Sequence, residues 1–101
     1  MKPAPVAALD YEIVQEQASA LGRLGRALET ALAALSDYDS AGAAPAVPDA
    51  ARAELVAAAS EALWYFMVQR EACGLRDQQS IIHAYRVPAE VHARMGVFQR
   101  R

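Results

Sequence analysis

From about Leu9 to Leu35, apolar residues recur at helical spacing. Ile13, Leu21, Leu24, Leu28, Leu32 and Leu35 fall on one side of a wheel turned about 100° per residue. The pattern predicts a first helix over 9–38. Residues 1–8 are expected to be a frayed lead-in, because Pro3 and Pro5 disfavour helix in the residues before them. Ala18, Gly22 and Gly25 cluster on one flank of the stripe. A glycine inside a helix costs about 1 kcal/mol relative to alanine, so the pair suggests a neighbour pressed close to the backbone.

The stretch "SDYDSAGAAPAVPD" interrupts the periodicity with Gly42, Pro45 and Pro48, which predicts a loop over 39–48. Asp49 then suits an N-cap, and a second helix is expected over 49–73. Its main apolar face holds Leu55, Val56, Ala59, Leu63, Phe66 and Met67. Trp64, Val68 and Ala57 lie a third of a turn or more away, so this helix should be covered on two sides. One side would meet the first helix in an antiparallel hairpin. The other, carrying Trp64, Val68 and Ala57, is the expected interface with another chain.

Arg70 shares a side with Leu63, Phe66 and Met67, while Asp10 and Gln17 interrupt the apolar stripe of the first helix. An unpaired buried charge is costly. If the open end of the hairpin brings the two helix ends together, Arg70 should join Asp10 or Gln17 in a polar layer.

The segment "QREACGLRD" (69–77) gathers the only cysteine with two arginines and two acids. It reads as punctuation. Gly74 suits the left-handed position after a helix, with Leu75 as the accompanying apolar contact, and Asp77 suits the cap of a third helix over 77–85. Arg86 and Val87 make a turn, and Pro88 opens a fourth helix over 88–95 that stops at Gly96. Residues 96–101 form a tail. The expected fold is all-α: a long antiparallel helical hairpin plus two short C-terminal helices in one domain, completing a helical bundle as a homodimer.

Composition strengthens the dimer expectation. The 54% hydrophobic fraction includes 24 alanines, which bury little area each, so large apolar side chains are few for a monomer. The net charge of −2 gives no global reason for nucleic-acid or membrane binding. The charge is uneven, however. Residues 1–73 hold five Lys/Arg against ten Asp/Glu, and residues 74–101 hold five against two. A lone cysteine fits a reducing compartment. The N-terminus lacks the apolar core of a signal peptide, and no stretch approaches the roughly 20 apolar residues of a membrane span, so a cytoplasmic location is expected.

Little chemistry follows. Arg70 and Arg76 could lower the Cys73 thiol pKa, yet no base is placed beside it, and a small core residue is the better reading. Cys73, His83 and His92 are separated by ten and nine residues, which matches no tight metal-ligand pairing. Glu12, Glu16 and Glu29 read as a solvated face. There is no phosphate loop, nucleophile elbow or H-E-x-x-H. No catalytic residue, metal or cofactor is expected. Residues 77–95 have the outline of a helix-turn-helix, but Arg86 stands in the turn where glycine is usual.

The blocks "LDYEIVQEQASALGRLGRALETALAAL" and "ALWYFMVQREACGLRDQQSIIHAYRVPAEVHARMG" resemble a family of small bacterial helical proteins known only as a domain of unknown function. The resemblance covers about 9–35 and 62–96, chiefly through "VQREACGL" and "VPAEV". It implies a standalone intracellular bacterial protein and transfers no functional residues. The expected function is a non-catalytic homo-oligomeric interaction or regulatory module, itself the main partner, with an unidentified protein partner also possible. The alternative is a nucleic-acid-binding protein using the helix pair 77–95.

Overall fold

A computed structural model describes residues 5–42 and 49–96. Four helices follow in order: α1 (Pro5–Ser40), α2 (Ala50–Ala72), α3 (Gln78–Ala84) and α4 (Ala89–Arg94). The chain is all-helical among the described residues. Residues 1–4, the loop residues 43–48 and the tail 97–101 lie outside them.

The first helix starts earlier than its leucine pattern suggests. Pro5 occupies its first position, where the missing N–H would have been unsatisfied anyway. The helix also runs on through Asp39 and Ser40, so only part of 39–48 is loop. Asp49 caps α2 by accepting from the Arg52 N–H at 3.1 Å.

The hairpin is antiparallel. Tyr38 meets Asp49 at the closed end, and Gly25 faces Phe66 further along. Leu28 and Leu35 of α1 are buried with Val56, Ala59, Leu63, Phe66 and Met67 of α2. At Gly25 an added Cβ would stand 3.5 Å from the Phe66 ring and 3.1 Å from the Tyr85 hydroxyl oxygen. The expected close approach is therefore real there, although it is made by side chains. At Gly22 an added Cβ would meet only the guanidinium of Arg26, on the same helix.

Two backbone caps of the same kind end α2 and α3. The Gly74 N–H donates to the Glu71 carbonyl (3.0 Å) and the Leu75 N–H to that of Arg70 (2.8 Å), with Gly74 at φ 84°. Leu75 itself stays 44% exposed, so its apolar contact is slight. After α3, the Arg86 N–H donates to the His83 carbonyl (3.2 Å) and the Val87 N–H to that of Ile82 (3.0 Å). Here the left-handed residue is Arg86, at φ 53°.

The second face of α2 is covered by its own chain. Successive contacts pair Arg52 with Glu90, Ser60 with Val91 and Trp64 with Gly96, so α4 runs parallel to α2. Ile81, Val87 and Val91 complete the core from the α3–α4 side. Ser60 is buried within reach of two carbonyls, Val56 at 2.8 Å and Val91 at 3.1 Å. Its single proton serves both, and the second is among the carbonyls a short helix leaves unpaired at its C-terminal end.

A candidate interaction surface

Polar side chains gather at the closed end of the hairpin. Arg52 Nε and Nη2 donate to Asp39 at 2.8 and 3.0 Å, and Nη1 and Nη2 donate to Glu90 at 2.9 and 2.6 Å. One guanidinium thus ties the end of α1 and the start of α4 to the first turn of α2. The hydrogen bonds from Arg52 are the leading reason that Asp39 and Glu90 both titrate below the ordinary carboxylate range. Arg52 is pushed further up, by its bonds to Glu90 first and Asp39 second. Beside them the Tyr38 hydroxyl donates to Asp49 at 2.8 Å, and that bond raises the Tyr38 pKa. These charges satisfy one another, so the cluster acts as a clamp on three elements.

The open end differs. α1 has 36 residues and α2 has 23, a difference that spans about 20 Å at 1.5 Å per residue. The excess projects past Ala72 as a single helical arm. Residues 8–16 are exposed throughout, among them Leu9 (56%), Ile13 (48%) and Val14 (60%). Ile13 and Val14 flank the line of the stripe that α2 covers further along, and Leu9 lies one turn from Ile13 on its outer side. The arm is acidic, with Asp10, Glu12 and Glu16 and no Lys or Arg between residues 3 and 22. Among the described residues, Glu16 alone of these acids has an ion pair, with Arg23 at 3.6 Å across an exposed face.

The expected polar layer of Arg70 with Asp10 or Gln17 does not form. On the Gly25–Phe66 register, Arg70 stands level with the turn around Leu21. Asp10 is then about 16 Å farther out along α1 and Gln17 about 6 Å. The guanidinium carbon of Arg70 lies 5.8 Å from the centre of the Phe66 ring. A cation over an aromatic face with its head near water does not require a carboxylate. Asp10 is exposed and Gln17 half-buried, and neither has a hydrogen-bond partner among the described residues. The three residues lie toward the open end of the hairpin but out of register with one another. The polar cluster that does bind elements together is at the other end, and sequence reasoning missed it.

Of the three residues expected at an interface, Trp64 is half-buried against Gly96, where an added Cβ would sit 3.4 Å from the indole. Ala57 is also half-buried, while Val68 is 45% exposed near the open end, with Tyr65 and Leu75. The uncovered apolar surface is thus the α1 arm and the nearby end of α2.

Cys73 is the C-cap of α2, half-buried, with Gln69 Nε2 3.7 Å from its sulfur. No group of three metal-ligating side chains occurs among the described residues. No described helix is long and apolar enough to cross a membrane.

A long helical hairpin clasped by two short helices, with one helix overrunning the other, defines a small all-α domain. The chain belongs to a family of unknown function (DUF6665), whose family model matches residues 1–101. No curated protein and no solved structure matches it.

Proposed function

We propose that this chain is a non-catalytic interaction module that self-associates through the projecting arm of α1. The observation that carries the reading is the exposure of Leu9, Ile13 and Val14 on a stretch of α1 that, among the described residues, has nothing opposite it. An apolar stripe on a single helix gains most of its stability from being covered.

A second copy is the occupant that complements it. Laid antiparallel about a two-fold axis, each arm covers the other's stripe. Each N-terminal end then reaches toward the partner's open end. Asp10 and Glu12 there approach an Arg70 that has no carboxylate partner among the described residues. Opposite charges steer such encounters and select their orientation. The family resemblance and the lone cysteine support an intracellular, bacterial setting for the assembly.

Sedimentation at micromolar concentration tests the reading. The expected result is a dimer that Ile13→Glu, with Val14→Glu, converts to monomer while α2–α4 stay folded. A wild-type monomer of 10.9 kDa across that range would end it. Binding to duplex DNA that weakens steeply with salt would instead favour the helix pair 77–95 as the working surface.

A further inference from the structure

Arg86, at the turn between α3 and α4, takes no part in the clamp. Between the C-terminal half of α1 and the α3–α4 turn runs a groove of about 400 Å³. Leu32, Leu35 and the Tyr85 ring form its apolar part, and Ser36, Asp39 and Arg86 its polar part. It continues past Leu32 and Tyr85 into a second hollow of about 440 Å³ that reaches Glu29. Hollows of this size are in the range that holds small organic ligands.

Three features of the groove point one way. The first is the backbone at Arg86. Every other residue with positive φ among the described residues is a glycine, namely Gly42, Gly74 and Gly96. Arg86 fills the same left-handed cap position at φ 53° with a side chain that the conformation disfavours. Second, its guanidinium makes no hydrogen bond or ion pair within the described residues. Asp39 lines the same groove but is already gripped by Arg52 through two bonds, so its charge is answered elsewhere. Third, the hydroxyls of Ser36 and Tyr85 have no hydrogen-bond partner among the described residues. A cation on a left-handed backbone and two hydroxyls without partners among the described residues thus border one hollow with an apolar wall.

We propose that this groove binds a small organic anion, a carboxylate or phosphate on an apolar body. The anionic head sits on the Arg86 fork and the body lies against Leu32, Leu35 and the Tyr85 ring. Arginine suits this task because its planar fork meets such heads through two parallel bonds. The site is at the closed end, away from the arm, and stands or falls independently of self-association.

The test is amide NMR of the full chain, titrated at millimolar concentration with benzoate, phenyl phosphate, benzyl alcohol and inorganic phosphate. Benzoate or phenyl phosphate should shift the Ser36, Tyr85 and Arg86 resonances saturably, and the tighter of the two identifies the head group. Arg86→Gly should weaken that binding about tenfold or more, yet melt roughly 4–8 °C higher, because glycine relieves the left-handed backbone. Arg86→Lys keeps the strain and the charge without the fork, and should bind between the two. The inference is overturned by any of four results: no saturable shift from either organic anion, unchanged binding in Arg86→Gly, equal binding of benzyl alcohol or inorganic phosphate, or a lower melting temperature for Arg86→Gly.

Discussion

Gly22 and Gly25 stand one turn apart on α1 and separate two effects that glycine usually mixes. Each should lose about 1 kcal/mol of helix stability relative to alanine. At Gly22 a methyl group meets only the far end of Arg26 at 3.3 Å, which can swing away. At Gly25 it meets the Tyr85 oxygen at 3.1 Å, on a ring that stands edge-on to Phe66 with centroids 5.6 Å apart. Moving that ring disturbs the packing of α3 on the hairpin. Gly22→Ala should therefore raise the urea midpoint by close to the full helix increment. Gly25→Ala should leave it unchanged or lower it. Equal gains at both sites would show that Tyr85 yields freely and that Gly25 has no packing role.

At the scale of elements, the clamp predicts how stability depends on pH. Asp39 and Glu90 have folded pKa values below their ordinary 3.8 and 4.5. Their contribution is complete above those ordinary values and is lost as pH falls through the lowered folded ones. Tyr38 has its pKa raised above the ordinary 10.0, so its contribution is complete below that value and is lost as pH rises through the folded one. Stability should be flat between the two limbs. Arg52→Met should flatten the acid limb and leave the alkaline one. Tyr38→Phe should do the reverse, as followed by thermal melts across pH. A single variant that removed both limbs would contradict separate origins.

The elements differ in how plainly the sequence announces them. The leucine stripe and the caps at Asp49, Gly74 and Asp77 were legible because each rests on residues within a turn or two of one another. Trp64 lies half-buried on the second face of α2, against Gly96 just past α4, a cover that periodicity alone cannot distinguish from a partner chain. The Arg52 clamp was not legible. Its acceptors lie 13 and 38 positions away, and a lone arginine on a helix looks the same whether clamped or solvated. Arg70 was misplaced because the register was inferred from helix ends taken as matched, whereas Pro5 lets α1 begin well before α2 has a counterpart.

For the whole molecule, the unequal helix lengths have a consequence for dynamics. A helical segment of about a dozen residues is marginal in water without tertiary support, because nucleation is costly and each added residue contributes little. The exposed arm is continuous with a covered helix, so it escapes the nucleation penalty but should still fray from its free end. Its amides should then exchange with solvent through local opening rather than global unfolding. If two copies cover each other's arms, that opening becomes linked to concentration by mass action. Ellipticity per residue at 222 nm should fall on dilution through the dimer dissociation constant. Amide protection over residues 8–16 should fall with it, while protection at Leu28 and Leu63 stays unchanged. An arm equally protected at all concentrations would mean that its helix stands without a neighbour.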